Sequence, residues 1–147
     1  MSTVFEKMIA GEIPGRFVWS DEECVAFLTI EPITAGHALV VPRQAWAKWT
    51  EVPPATIAHL MTVAQILGQA QETGFEVPRS GLIIAGFEVP HTHLHVVPMH
   101  SEEDLTFARA HAATTAELNS AAATLRASLI AKGHQGNVPP DVSSPQL

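Results

Sequence analysis

Between Val89 and Pro98 the chain reads V-P-H-T-H-L-H-V-V-P, and this run constrains the fold more than any other stretch. His91, His93 and His95 alternate strictly with Thr92, Leu94 and Val96. Successive side chains of a β-strand point to opposite faces, so a strand here gathers the three imidazoles on one face, neighbours about 6–7 Å apart. Thr92, Leu94 and Val96 then turn toward a core on the other face. The expected strand runs from Val89 to Val97, with Pro90 and Pro98 near its ends, where a strand tolerates proline.

The rest of the chain supplies short strands and helices around this run. Val4 to Ala10 reads as a short helix capped by Thr3. Arg16 to Ser20 and Cys24 to Thr29 read as a strand hairpin, and His37 to Val41 as a third strand closed by Pro42. Pro53-Pro54 opens a long helix to about Glu72, with an apolar stripe of Ile57, Leu60, Met61, Ala64, Leu67 and Gly68, and Gly74 as its stop. Gly81 to Ala85 reads as a short buried strand, and Gly86-Phe87-Glu88 as a tight reversal. Thr114 and Glu117 have capping-box spacing, and a helical stripe from Leu118 to Leu129 follows, ending at Gly133. His134 to Leu147 reads as a loose tail. Short strands, one long helix between them and helices at both ends imply an α+β fold with a mainly antiparallel sheet.

Three imidazoles on one face suit three roles. Two histidines at i and i+2 can chelate one metal ion, but the outer pair lie about 13 Å apart. A metal site therefore needs a further ligand, which His37 could supply. Alternatively, a neutral imidazole can attack phosphorus if its other nitrogen is held as a donor, while flanking imidazoles donate to the phosphate oxygens. The third role is a solvated strand with no chemistry.

Composition narrows the partners. The 147 residues fit one domain, and 46% are hydrophobic, enough for a core. A net charge of -7 argues against nucleic-acid binding through a basic surface. The single cysteine, Cys24, allows no intramolecular disulfide and no Cys-x-x-Cys zinc site. No stretch has the length and apolarity of a membrane span, and no signal peptide is evident, so a cytoplasmic location is expected.

At Ala85 to Pro98 the chain resembles the HIT (histidine triad) superfamily, whose signature is His-φ-His-φ-His-φ-φ with φ apolar. Val4 to Pro14 is similar to the family's opening helix, and Ala26 to Pro32 and Gly36 to Pro42 to its next two motifs. The resemblance covers about Thr3 to Phe107. It implies a five-stranded antiparallel sheet with two main helices and a HIT domain at residues 3–108; beyond it, the residue pattern gives a helical extension at 109–133 and a flexible tail at 134–147. The resemblance also implies a phosphohydrolase or nucleotidyl transferase working through a nucleotidyl-histidine at His93, with His91 and His95 as flanking triad members. His37 matches a further histidine near the phosphates. Val4, Phe5, Met8, Phe27 and Ile30 match the apolar base pocket, with Thr29 at the ribose position. A nucleotide substrate and a homodimer are the implied partners. No cofactor is required, although zinc could bind. Trp46 and Trp49 could pack on the long helix or lie in a dimer interface, and packing is the commoner use.

The chain departs from the family where phosphate and ribose are held. Phe87 replaces a usual Gln, Thr29 a common Asp, and Met99 a common Arg. The turn before Gly86 is short and lacks an Asn-bearing loop. Glu88, Arg79, His100 and Ser101 are candidate substitutes. By strand alternation Glu88 shares phase with Pro90 and Thr92, which points it away from the triad face. These departures leave a catalytically weak nucleotide-binding or metal-binding module as the alternative.

Overall fold

The computed structural model describes residues 2–147. Its first helix, α1 (Val4–Ile9), begins with a capping box: the Thr3 hydroxyl accepts the Glu6 amide and the Glu6 carboxylate accepts the Thr3 amide. Such caps contribute about 1 kcal/mol, which helps a six-residue helix hold together.

Five strands follow: β1 (Phe17–Ser20), β2 (Cys24–Leu28), β3 (Ala38–Pro42), β4 (Arg79–Ile84) and β5 (Leu94–Met99). They form one antiparallel sheet in the spatial order β1-β2-β3-β5-β4. Helix α2 (Pro54–Gly74) connects β3 to β4, and α3 (Thr115–Ala131) follows β5. The expected α+β architecture, with two main helices, is the observed one.

Strand alternation divides the core between the two faces of the sheet, in one large cluster and two smaller ones, the smallest made of Ile33, Val97 and Met99. Cys24, Ala26 and Leu28 of β2 join Leu94 and Val96 of β5 in the larger cluster. That cluster is closed by Leu60, Val63, Ala64, Leu67 and Ala70 of α2 and by Leu125 and Leu129 of α3. Each fully buried leucine contributes roughly 1.5–3 kcal/mol. Val25 and Phe27 of β2 point the other way, into a smaller cluster with Phe5, Phe17, Leu39 and Val41. Only α1 and loops cover that side.

One buried polar residue ties the helical layer to the loop before β3. The Gln71 amide nitrogen donates to the carbonyls of Gly36 and Val96, at 2.9 and 2.8 Å, and its oxygen accepts from Ser80 Oγ. Gly36 has φ +92°, and a Cβ there would collide with the Phe75 ring. A side chain at Gly36 is thus excluded both by conformation and by space.

Several local expectations need correction. The strand 79–84 is not buried: it is the sheet's edge, paired only to β5 and half-exposed. Met61 is exposed rather than on the buried stripe, whereas Val63 and Ala70 are buried. Gly74 does not stop α2 by a left-handed turn; Glu76 takes the positive φ, 53°. Gly74 instead lets α3 approach, since a Cβ there would lie 3.2 Å from Ser128 Cβ. The residues after α3 are not loose. Val138 is buried, Arg126 donates to the Phe17 and Pro139 carbonyls, and the Phe17 amide donates to the Val142 carbonyl at 2.7 Å. This segment covers the outer edge of β1, and its proline and serine content did not reveal those anchors. Trp46 packs against the large cluster, while Trp49 is exposed. No helix among the described residues is long and apolar enough to cross a membrane.

Candidate functional site

The three histidines straddle the start of β5. Ladder pairing to β3 begins only at Leu94, so His91 to His93 precede the strand, and the His91 amide turns back to the Val89 carbonyl at 2.7 Å. Side-chain and loop bonds replace the ladder: the Thr92 amide and hydroxyl both donate to the Trp46 carbonyl, at 2.7 and 2.9 Å. Alternation survives nonetheless. Thr92, Leu94 and Val96 are buried, and the rings of His93 and His95 lie side by side, centroids 4.9 Å apart. Phe5 packs edge-on against both His91 and His93.

Hydrogen bonds assign the proton on each ring, because a carbonyl only accepts and a backbone amide only donates. His93 Nδ1 lies 2.7 Å from the His91 carbonyl and must donate to it, leaving an unprotonated Nε2. His91 Nε2 donates to the Pro42 carbonyl at 2.6 Å, so its Nδ1 accepts from the Thr3 hydroxyl at 2.8 Å. The Ile33 amide donates to His37 Nδ1 at 3.0 Å. His37 Nε2 therefore donates to His95 Nδ1 at 2.9 Å, and His95 carries its proton on Nε2. A lone pair on His93 thus sits beside an N–H on His95.

All four imidazoles are kept neutral. Burial pushes His37 down to about 4. Burial, reinforced by the proximity of His93 and His37, pushes His95 down to about 3. Burial also lowers His91 and His93, partly opposed by the Pro42 carbonyl and Glu6 for the first and by the His91 carbonyl and Glu88 for the second.

Two clefts meet at the His93–His95 pair. One, of about 300 Å³, is bordered by Phe5, Thr29, Ile30, Leu39 and Val89. The other, of about 230 Å³, is bordered by Ala85, Gly86, Phe87 and Phe107. Glu88 borders both. A larger groove of about 550 Å³ lies between α2 and β4, but it carries no histidine or cysteine.

Of the candidate site residues, His93, His95, His37, Phe5, Thr29 and Ile30 border the first cleft. His91 does not. Its ring is fully buried with both nitrogens engaged, so it cannot touch a phosphate through the ring. What it offers is the carbonyl that orients His93. Met8 and Phe27 belong to the small core behind Phe5, and Val4 is partly exposed outside the cleft. Glu88 corrects the alternation argument: residues 85–93 are not strand, and the carboxylate borders the triad side. Arg79, His100 and Ser101 border neither cleft.

Leu39, Val89, Glu31 and Phe107 were missed. Leu39 follows from the same alternation that placed His37, since it pairs with His95 across β3 and β5. Phe107 left no periodic signal. It sits in a 3-10 turn, Phe107–Arg109, and its ring lies 4.8 Å from that of His95. The Ala113 amide, bonded to the Ile30 carbonyl, clips this segment to the cleft wall. His37 Nε2 and His95 Nδ1 bond each other, so neither nitrogen is free for an ion in the arrangement shown.

Known proteins resemble this chain in sequence and fold. The HIT domain model matches residues 10–102. An uncharacterized HIT-like protein of Mycobacterium tuberculosis, Rv1262c, is 32% identical over 114 residues, covering 74% of this chain and 79% of that protein. Adenosine 5'-monophosphoramidase HNT1 of Saccharomyces cerevisiae is 33% identical over 101 residues, covering 68% of this chain and 64% of that protein. The crystal structure of a zinc-bound histidine triad family protein from Mycobacterium smegmatis superposes with a TM-score of 0.78 at 30% identity, covering 90% of this chain and 96% of that one. With the ordered histidines, the five-stranded sheet and these matches in place, the chain belongs to the HIT, or histidine triad, family.

Proposed function

We propose that this protein is a nucleotide hydrolase or nucleotidyl transferase acting at the α-phosphate of a nucleoside monophosphate derivative. The observation that carries this reading is the proton assignment at the cleft: an unprotonated His93 Nε2 held by the His91 carbonyl, next to a protonated His95 Nε2. The yeast relative, named an adenosine 5'-monophosphoramidase, favours a phosphoramidate among the substrates.

In the first step His93 Nε2 attacks the α-phosphorus. The new N–P bond forms as the bond to the leaving group breaks, and the leaving group takes up a proton at the open cleft mouth. His95 Nε2–H donates to a phosphate oxygen without bringing a net charge. His37 keeps His95 in that tautomer and acts as a positioning residue. In the second step water adds to phosphorus, the N–P bond breaks, a proton is released and nucleoside monophosphate leaves. The base lies against Phe5, Ile30, Leu39 and Val89, and the Thr29 hydroxyl reaches one ribose hydroxyl. Neutral donors in a partly desolvated site stabilise developing charge better than the same groups in water.

A second reading, a nucleotide binder with little turnover, is favoured by one observation. Glu88 borders the cleft, and no Arg or Lys is among its described lining residues. Single-turnover mixing with adenosine 5'-phosphoramidate, quenched and read by intact mass, separates the two. A nucleotidyl adduct that disappears in His93→Ala supports the enzyme. Binding without adduct or product, across adenylyl and guanylyl phosphoramidates and mixed anhydrides, leaves only the binder.

A further inference from the structure

Across the sheet from the cleft, three side chains of different chemistry converge. Asp21 lies in the β1–β2 turn, Cys24 opens β2, and His59 projects from the second turn of α2. The carboxylate, thiol and imidazole donor atoms all lie within 4.8 Å of one another. His59 Nε2 is 2.7 Å, and Cys24 Sγ 3.5 Å, from the same oxygen, Asp21 Oδ2, which the Trp19 indole N–H also holds in place at 2.8 Å. Three ligand types at one point, on a tight turn and a helix, exceed what a turn-capping aspartate needs. The other oxygen, Oδ1, already caps the turn by accepting the Glu23 and Cys24 amides, both at 2.8 Å.

A second observation lies behind the imidazole. Glu23 Oε2 is 3.6 Å from His59 Nδ1. A metal-bound histidine characteristically donates its other ring nitrogen to a carboxylate, which fixes the tautomer and strengthens the ligand. Here a carboxylate stands within reach of that nitrogen, just beyond hydrogen-bond distance, and a small side-chain shift would close the bond. The Arg43 guanidinium does not neutralise Asp21, because it donates to the Asp21 main-chain carbonyl and to Ser20 Oγ. The His59 side chain is about one-third exposed and Asp21 about one-sixth, so an ion can enter from solvent.

We propose that Asp21, Cys24 and His59 form a site for a divalent, borderline-soft cation of the zinc type, with Glu23 orienting His59. A mixed thiolate, imidazole and carboxylate set suits such an ion, and water completes a four-coordinate shell. The exchange balances simply. The cation binds Oδ2, Sγ and Nε2; the thiol proton is released to solvent; the imidazole proton moves from Nε2 to Nδ1, facing Glu23. Two negative ligands neutralise the double positive charge. The bound ion would clamp the β1–β2 turn to α2, outside the histidine cleft.

The test uses the full chain, stripped with a chelator and titrated with Co²⁺ as probe. One equivalent should produce the near-ultraviolet charge-transfer band of thiolate-bound cobalt and release one proton, and Zn²⁺ should displace it. Cys24→Ser and His59→Gln should each abolish the band, Glu23→Gln should weaken binding about 10- to 100-fold, and His95→Ala should leave it unchanged. Cys24 is fully buried, so folding is checked by circular dichroism, and His59→Gln decides the matter if Cys24→Ser does not fold. No charge-transfer band, a band that survives His59→Gln, or binding kept in Cys24→Ser but lost in His95→Ala would each overturn the proposal.

Discussion

The two faces of the sheet are built from the same strands and serve opposite ends. On one face two helices of 21 and 17 residues lie over β-strand side chains and leave a continuous apolar layer. On the other, α1 supplies six residues and the remaining cover comes from loops. That incomplete cover is what leaves room for two clefts beside His93 and His95. The closed face holds the structure together by area buried. The open face holds reactive groups in place by hydrogen bonds that leave one nitrogen of each key ring free. A fully packed open face would have no site, and a loosely packed closed face would not hold the site's geometry.

The sharpest way to break this division is to exchange the expected effects. His93→Ala on the open face should lower kcat/KM for a phosphoramidate by at least ~10,000-fold, the scale seen when a nucleophile is removed. Its thermal unfolding midpoint should fall only modestly, because the ring is buried and bonds the His91 carbonyl but borders open cleft space. Leu67→Ala on the closed face should do the reverse. Leu67 is fully buried, so the lost methyl groups and the cavity should cost about 2–5 kcal/mol in denaturant unfolding. Its kcat/KM should stay unchanged at temperatures where the variant is folded. If Leu67→Ala instead abolished turnover while folded, the two faces would not be separable.

Acid should separate the faces by pH window. On the open face His37 and His95 are pushed below the ordinary 6.5, to about 4 and about 3. Between those values the unfolded chain binds more protons than the folded one, so stability rises with pH. It is complete above about 6.5 and is lost progressively as pH falls toward 3, at up to about 1.4 kcal/mol per pH unit for each histidine. On the closed face, burial works to raise Asp21, but hydrogen bonds from Trp19, His59 and two backbone amides hold it at about 2, against an ordinary 3.8. Its contribution is present above 3.8 and lost only as pH falls toward 2. Urea unfolding from pH 7 to pH 3 should therefore weaken somewhat less steeply in His37→Asn than in the wild type, by the share of one of the four lowered histidines, while Asp21→Asn should leave the slope between pH 6.5 and 4 unchanged.

The smallest effect concerns Glu88. Its exposed carboxylate raises the proton affinity of His93, and under the proposed reaction it would oppose an incoming phosphate. Glu88→Gln should increase kcat/KM by about twofold to fivefold, the scale of an exposed charge interaction below ~1 kcal/mol. The gain should shrink as salt is raised. No gain at low salt would mean that the carboxylate does not face the bound phosphate.

Much of the fold was legible because periodicity reports burial. The apolar runs of β1, β2 and β3 and the Thr114–Glu117 capping box mark their elements without tertiary help. The edge position of β4 was not legible, since Gly81, Leu82 and Ile83 look the same whether one or two neighbours flank them. Nor was the anchored segment after α3, whose contacts are main-chain carbonyls accepting from Arg126. In the site, alternation correctly grouped His93 and His95, but it failed for Glu88 because Gly86, with φ +88°, and the bends around it break the strand before the triad.

The amino-acid order alone determined that three imidazoles would share a side, that apolar residues would back them, and which family the chain resembles. These properties follow from spacing along a backbone with few conformations. Only the tertiary structure decided that His91 turns inward between Thr3 and Pro42 while His93 and His95 border open space. The same holds for the tautomers, which depend on the Ile33 amide and the Pro42 carbonyl, and for the meeting of Asp21 and Cys24 with His59. A residue's ligand or proton partner is fixed by groups distant in the chain, and the chain's local pattern carries no record of which of them folding will bring near.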